Sequence, residues 1–262
     1  MIGIVGNGFV GNALYQNLRD KVDCKVYDVD KNKSFNTLGE VLEQMFVFVC
    51  LPTPMKSTGE CDLSILNNFF ESLPKKTNCT FVIKSTVPIG TTKKFSKNRK
   101  VIHNPEFLTA RNAVEDYRNS ERNVVGGDIK LCKQFVNFFK TVFPSTPSVI
   151  TTSDESEAIK YFANSFLATK VAYFNKMYDL CQSIGMDYNI VCDGVTSDSR
   201  IGSSHTKVPG FDNDRGFGGT CFPKDLNSLI VQMEENGVNS DILQKVWEYN
   251  QSIRTVIDWS MN

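Results

Sequence analysis

Short β-branched or aromatic runs recur through the first half of the chain, at 2–5, 25–27, 46–50, 80–84, 100–103, 123–125 and 148–151, and helical or loop-like stretches separate them. Strands alternating with helical stretches imply crossover connections, which give parallel strands with helices on the sheet faces. The pattern changes after Thr151. Thr152-Ser-Asp-Glu155 has the spacing of a capping box, Asp154 and Glu157 repeat the offset, and apolar residues then recur every three or four positions. Ile159, Phe162, Ala163, Phe166, Leu167, Lys170, Val171, Phe174, Met177, Tyr178 and Cys181 keep roughly this spacing without a proline until Gly185, so the pattern predicts a helix of about thirty residues. Residues 186–262 add helical stretches at 225–236 and 240–258 around a glycine-rich loop from Gly202 to Gly219, with no strand pattern. The expected architecture is α/β: a Rossmann-type parallel sheet over 1–150, followed by an all-α domain over 151–262 built on the long helix. Helices of this length often form spines between subunits, so a homodimer through it is expected.

Composition narrows the class. The 262 residues are 41% hydrophobic and 22% charged, with 29 basic residues against 29 acidic ones. Such a chain is globular rather than disordered, and it has no excess of Lys and Arg with which to displace counterions from nucleic acid. The longest apolar run, 45–51, ends at Pro52, far short of the roughly 20 residues that span a bilayer, and reads as a buried strand. The N-terminus lacks the pattern of a secretory leader, so a cytoplasmic protein is expected, with neither membrane nor nucleic acid as a partner. The eight cysteines include no CxxC pair, and His103 and His205 stand apart from them. Neither a disulfide framework nor a zinc site is expected.

Three constellations carry chemistry. Gly6-Asn-Gly8-Phe-Val-Gly11 follows the first strand pattern and opens a helical one, and a second strand pattern ends at Asp28. The first glycine permits the tight turn, the second lets backbone approach a pyrophosphate, and the third allows close helix packing. Asp28 is placed to accept hydrogen bonds from an adenosine ribose and would repel a 2′-phosphate, which favours NAD over NADP. The second constellation is Gly216-Phe-Gly-Gly-Thr-Cys221-Phe-Pro-Lys-Asp225. Pro223 suits the first helical position, which puts the Cys221 thiol at a helix N-terminus, where the dipole and Lys224 would favour the thiolate. Cys221 is then a candidate nucleophile, set against the ordinary reading of a cysteine as a small inert hydrophobe. The third is Lys160 and Asn164, polar positions one turn apart in the mostly apolar stretch IKYFANSFLA. Lys160 reads either as a solvent-facing lysine or, with Asn164, as a donor pair aimed at a developing oxyanion.

Together these segments resemble the UDP-glucose/GDP-mannose dehydrogenase family. The matching pieces run in family order: GNGFVG with Asp28, VFVCLPTP (47–54), CDLS (61–64), KSTVPIGTT (84–92), NPEFL (104–108), KYFANSFLATK (160–170), DSRIG (198–202) and GFGGTCFPKD (216–225), the last being highly specific. The resemblance implies NAD-dependent, four-electron oxidation of a nucleotide sugar's CH2OH to a carboxylate, with UDP-glucose the favoured substrate. A first hydride transfer leaves an aldehyde, Cys221 attacks it to form a thiohemiacetal, a second transfer yields a thioester, and water hydrolyses it. By the same resemblance Lys160 and Asn164 stabilise the oxyanion, Asp225 positions water or accepts a proton, Thr86 holds a water near the nicotinamide, and Glu106 is the base in hydrolysis. Cofactor contacts fall to Gly6, Gly8, Phe9, Val10, Gly11, Asp28, Lys33, Thr53 and Thr86. Substrate contacts fall to Glu106, Phe107, Leu108, Lys160, Asn164, Arg200, Phe217 and Gly218, with Arg200 reaching the sugar nucleotide of a neighbouring subunit or, in the plainer reading, lying solvated at the surface.

Two departures stand out. After NPEFL the family has a second acid and a glycine, whereas this chain reads Thr109-Ala110-Arg111. Family members also continue into a third, C-terminal domain that supplies much of the nucleotide site, so nucleotide binding is expected to be reduced or met by another chain. UDP-N-acetylhexosamine and GDP-mannose stay open as substrates. A one-step β-hydroxyacid dehydrogenase and a non-catalytic NAD-binding assembly subunit are the competing readings, though neither needs Cys221.

Overall fold

Apolar runs that would be unstable in water become strands covered on both faces. The computed structural model, which describes residues 1–259, places β1 (Ile2–Val5), β2 (Cys24–Tyr27), β3 (Phe46–Val49), β4 (Thr80–Ile83), β5 (Val101–His103), β6 (Asn123–Gly127) and β7 (Ser148–Thr151) in one sheet. Their spatial order is β2-β1-β3-β4-β5-β6-β7, and every neighbouring pair is parallel except β5 with β6. All positions of β1, β3 and β4 are buried, which explains why their sequences are continuous rather than alternating. Alternate residues still serve different faces. Phe46 and Phe48 pack with Leu14 of α1 (Phe9–Leu18) and Phe135 of α6 (Ile129–Val142), while Val47 and Val49 join the cluster of Leu66 and Phe70 from α3 (Ser64–Ser72). The chain runs from β1 outward to β2 and then back across to β3. That reversal leaves a crevice at the carboxyl ends of β1 and β3, where doubly wound sheets bind ligands.

The chain divides into two units, residues 1–53 with 62–160, and residues 54–61 with 161 onward. The long helix α7 (Ser153–Ile184) belongs to the first unit through Lys160 and to the second from Tyr161. Its start follows the expected capping box: the Glu155 N–H donates to Thr152 Oγ1 (3.2 Å) and the Thr152 N–H to Glu155 Oε2 (2.9 Å). The repeated offset at Asp154 and Glu157 is not a second cap. Glu157 instead accepts the N–H groups of Gly90 (2.6 Å) and Thr92 (2.7 Å) at the head of α4 (Thr91–Ser96). The helix stops at Gly185, whose φ of +75° suits a glycine.

In the second unit α8 (Tyr188–Thr196), α9 (Phe222–Glu235) and α10 (Asp241–Ile253) complete the helical set, and among its described residues the only β pairing is a bridge between Met55 and Cys61. Two expected bounds are corrected. Helix α9 starts three residues before Asp225, because Cys221 takes the N-cap and Phe222 the first helical position, leaving Pro223 second rather than first. Helix α10 stops at Ile253 instead of 258, because Arg254 turns into extended backbone and the N–H groups of Thr255 and Val256 go to Asp214 Oδ2. Residues 260–262, the end of the expected second domain, lie outside the described residues. No described helix is long and apolar enough to cross a membrane.

One buried group predicts how the first unit responds to acid. His103, at the end of β5, is fully buried, with Nδ1 2.9 Å from Ser156 Oγ and Nε2 3.4 Å from Ser85 O. Burial, aided by the charges of Lys84 and Lys160, pushes it down to about 3. The unfolded chain therefore binds a proton below about pH 6.5 that the folded chain refuses, and stability is lost as pH falls from there toward 3. Between pH 7 and 5 this amounts to about 2 kcal/mol. Denaturant unfolding of the wild type and His103→Gln at both pH values is expected to show the acid loss smaller in the variant by that amount; equal losses would reject the assignment.

Candidate functional site

The glycine loop after β1 divides its residues by purpose. Gly6 has φ +88°, and a Cβ there would stand 2.6 Å from Cys50 O; a Cβ on Gly11 would stand 1.9 Å from Gly6 O. The protein's own packing demands both. Gly8 is different: it is the N-cap of α1, has no capping side chain, and a Cβ there meets nothing within 4 Å. Its bareness keeps the helix N-terminus approachable, where N–H groups and the dipole favour a phosphate. Asp28, just past β2, accepts the N–H of Asn7 on Oδ2 (2.6 Å) and of Asp30 on Oδ1 (2.8 Å), and each oxygen keeps a lone pair for a ribose hydroxyl. Asn7 Nδ2 donates to Lys33 O (2.8 Å), while Asn7 Oδ1 is buried without a protein hydrogen-bond partner. Asn7 thus ties Gly6, Gly8, Asp28 and Lys33 into one loop cluster. Phe9 and Val10 open α1, with Phe9 exposed. Thr53 Oγ1 donates to Thr86 O (2.9 Å) and Ser85 Oγ to Leu51 O (2.5 Å), joining the loops after β3 and β4. These residues fit a dinucleotide.

The segment after β5 makes a second cluster in the same unit. Lys160 is 3% exposed and its Nζ lies 3.2 Å from Glu106 Oε1, which removes the solvent-facing alternative. The other carboxylate oxygen of Glu106 accepts the Leu108 N–H at 2.6 Å. Phe107 lies between two cations, with Lys160 Nζ 5.3 Å and the Arg122 guanidinium 4.1 Å from its ring centroid.

In the second unit the sulfur-bearing loop is built from α9, α7 and α10. Cys221 is part-exposed at the N-cap of α9. Asp225, one turn on, is fully buried; its Oδ2 accepts Asn164 Nδ2 at 2.5 Å and its Oδ1 lies 2.6 Å from Lys224 Nζ. Burial opposes the Lys224 charge, but Asp225, together with Tyr161 and Cys61, holds the ammonium well above the usual lysine range. Lys224, read from the sequence as a neighbour of the thiol, makes its ion pair with Asp225.

The loop before Cys221 is shaped by residues that sequence patterns did not single out. Asn250 behaves like a strand edge toward Phe217, accepting its N–H (2.7 Å) and donating to its carbonyl (2.9 Å). The Gly219 N–H donates to Asp258 Oδ1 (2.9 Å). Arg254 lies so close beneath Gly218 that a Cβ there would fall 2.1 Å from its guanidinium, which Asp212, Asp214 and Asp258 surround. The Phe217 side chain sits in the core with Leu226 and Ile230, leaving its backbone to form the loop. Arg200 joins none of these clusters: its side chain is 87% exposed and paired with Asp198 at 2.5 Å. Lys170 fixes the adjoining turn by donating to Ile201 O (2.8 Å) and Gly202 O (3.0 Å). Among the described residues no three His, Cys, Asp or Glu side chains converge as metal ligands.

Comparison with known proteins gives a consistent neighbourhood. Residues 32–143 match the model of the UDP-glucose/GDP-mannose dehydrogenase family, NAD binding domain, and residues 154–252 that family's central domain. UDP-glucose 6-dehydrogenase TuaD of Bacillus subtilis is 31% identical over 98% of this chain and 64% of its own length, and UDP-glucose 6-dehydrogenase of Rickettsia bellii is 35% identical over 91% and 56%. The chain thus spans roughly three fifths of the length of these curated relatives. Among solved structures, a UDP-glucose dehydrogenase from Pyrobaculum islandicum superposes with a TM-score of 0.82 at 24% identity, covering 96% of this chain and 68% of that one. A 3-hydroxyisobutyrate dehydrogenase of Mycobacterium tuberculosis shares the fold with a TM-score of 0.75 at 16% identity, covering 99% and 96%.

Proposed function

Since the chain belongs to the UDP-glucose/GDP-mannose dehydrogenase family and carries its NAD binding domain, we propose that it oxidises the CH2OH of a nucleotide sugar to a carboxylate, converting UDP-glucose to UDP-glucuronate. The observation that carries this reading is the part-exposed Cys221 thiol at the N-terminus of α9, one turn from the buried Asn164–Asp225–Lys224 set. A dehydrogenase that stops at the aldehyde has no use for a thiol; one that goes on to the acid needs a nucleophile to convert the aldehyde into an oxidisable tetrahedral adduct.

NAD, when bound, supplies the oxidant, taking up a hydride from the sugar carbon in each of two oxidations. Gly6, Gly8, Phe9, Val10, Gly11, Asp28, Lys33, Thr53 and Thr86 would hold it, the α1 N-terminus offering N–H groups for phosphate and Asp28 carboxylate oxygens for a ribose hydroxyl. The residues of the chain do the rest. Cys221 Sγ adds to the aldehyde carbon, and the C–S bond persists through the second oxidation as a thioester. Lys160 has donors beyond the one directed at Glu106, and Asn164 an amide N–H beyond the one on Asp225; these stabilise the oxyanion. Glu106 takes a proton from the water that breaks the C–S bond, and Asp225 orients that water. Glu106, Phe107, Leu108, Arg200 and the backbone of Phe217 and Gly218 contact the sugar nucleotide.

We assign residues 1–150 to cofactor binding and 151–262 to catalysis and dimerisation. On the second unit's part of α7, Phe162, Phe166, Tyr173, Leu180 and Ile184 are at least half exposed and spaced by four or seven residues, an apolar stripe that suits a second copy of the chain. Arg200, exposed on its own chain, then serves the sugar nucleotide of the neighbouring subunit. A monomer by light scattering at micromolar concentration would remove the dimer. A cytoplasmic location accompanies this reading, since eight cysteines with no disulfide among them suit a reducing compartment.

The test is incubation of the purified chain with NAD and, separately, UDP-glucose, UDP-N-acetylhexosamine and GDP-mannose, following NADH absorbance and product mass. Two NADH per sugar and a uronate are expected with UDP-glucose. One NADH and no acid would point to a one-step dehydrogenase, and NAD binding without turnover to an assembly subunit.

A further inference from the structure

The carboxyl end of β4 carries a buried cation that the proposed mechanism leaves unused. Lys84 is 3% exposed, and its backbone N–H continues the ladder to Val49 O at 2.9 Å. Its Nζ lies 2.9 Å from Asn104 Oδ1, 3.5 Å from Pro105 O and 5.6 Å from the centroid of the Tyr117 ring. Asn104 cannot turn its amide over. Its Nδ2 donates to Asn123 Oδ1 (2.8 Å) and Val124 O (2.6 Å), so its Oδ1 must face the ammonium. The segment that begins at Asn104 carries Glu106 to within 3.2 Å of Lys160 Nζ.

A cation is a poor choice for filling this space. Burial pushes Lys84 down to about 8, against the pull of Cys50 and Glu106 and with the repulsion of Lys160. An apolar side chain of the same length would avoid that desolvation. What only the ammonium offers is a donor for Asn104 Oδ1 and the Pro105 carbonyl, and a second positive charge facing Glu106.

We propose that Lys84 is a positioning residue, whose ammonium fixes Asn104 and Pro105 and thereby sets how the Glu106 carboxylate meets Lys160. Its consequence for turnover rests on the dehydrogenase reading above; its consequence for the 104–109 segment does not. The experiment compares the wild-type chain with Lys84→Met and Lys84→Arg by thermal unfolding, NAD affinity, kcat and KM for UDP-glucose, and hydrogen exchange of the 106–109 amides. Lys84→Met is expected to unfold somewhat earlier than the wild type, because Asn104 Oδ1 and the Pro105 carbonyl lose their donor, and to bind NAD equally well. Its kcat is expected to fall by about tenfold or more, as for a displaced positioning group. The loss should fall on kcat with the KM for UDP-glucose little changed, as for a group displaced at the reacting atoms. Its 106–109 amides should exchange faster, and Lys84→Arg should recover part of each loss. A kcat like the wild type's, a loss in KM alone, or unchanged exchange would overturn the proposal. If the wild type oxidises no nucleotide sugar, the dehydrogenase reading fails, and exchange alone decides Lys84: faster supports it, unchanged rejects it. Should Lys84→Met not fold, Lys84→Gln, a neutral donor, replaces it with the same readouts.

Discussion

Cys221→Ser is expected to stop acid formation while leaving NAD binding unchanged. Cys221 is the N-cap of α9, a position where serine is a favoured residue, so the substitution keeps the helix start and the size of the side chain. What changes is the nucleophile. A serine hydroxyl is almost fully protonated near neutrality and a weak nucleophile, whereas sulfur is intrinsically far more nucleophilic. Uronate formation should fall by at least about a thousandfold, which corresponds to about 4 kcal/mol of barrier. NADH yield should fall to no more than one per sugar, and any aldehyde should be trappable by a carbonyl reagent. Single-turnover NADH yield and product mass check this. Uronate formation by Cys221→Ser at a rate near the wild type's would remove the thioester route and return Cys221 to the inert cysteines.

What the sequence made legible follows from how local each signal is. The strands β1, β3 and β4 were visible because burial on both faces leaves an uninterrupted apolar run, and α7 because a capping box opens it and Gly185 closes it. The Gly6 to Gly11 loop was legible for the same reason: turn, approach and packing constraints all fall within six residues. Strand direction was not, since hydrophobic spacing is the same whichever way β6 runs against β5. The helical pattern continues past Ile253, but the pull of Asp212 and Asp214 on Arg254 and on the backbone after it ends α10 there. In the site, Lys160 and Asn164 stood out as polar positions in apolar surroundings, but that contrast reports burial and not partners. Their partners, Glu106 and Asp225, are brought by other elements, and the same holds for Lys84 with Asn104 and Asn250 with Phe217. Polar pairing over long sequence separation leaves no periodic trace.

Lys160→Met should be the second large effect, and it separates catalysis from stability. Glu106 is 7% exposed, and Lys160 Nζ is the cation at its Oε1, 3.2 Å away. Removing that cation leaves a buried carboxylate with the Leu108 N–H and the more distant charge of Lys84. Breaking one side of a buried ion pair typically costs 3–5 kcal/mol; the remaining donor and cation put the expectation near the lower figure, about 3 kcal/mol. Lys160→Met should therefore unfold at lower denaturant than the wild type, its stability reduced by that amount. The double variant Lys160→Met, Glu106→Gln, which leaves no buried charge at this pair, should recover most of the lost stability. It should recover none of the activity, because the donor proposed for the oxyanion and the base proposed for hydrolysis are then both absent, and loss of the donor alone is worth about a hundredfold to a thousandfold in kcat. Denaturant unfolding and kcat at saturating sugar nucleotide provide the readouts. A double variant no more stable than Lys160→Met would show that Glu106 does not depend on Lys160, and turnover in the double variant would remove both residues from the catalytic set.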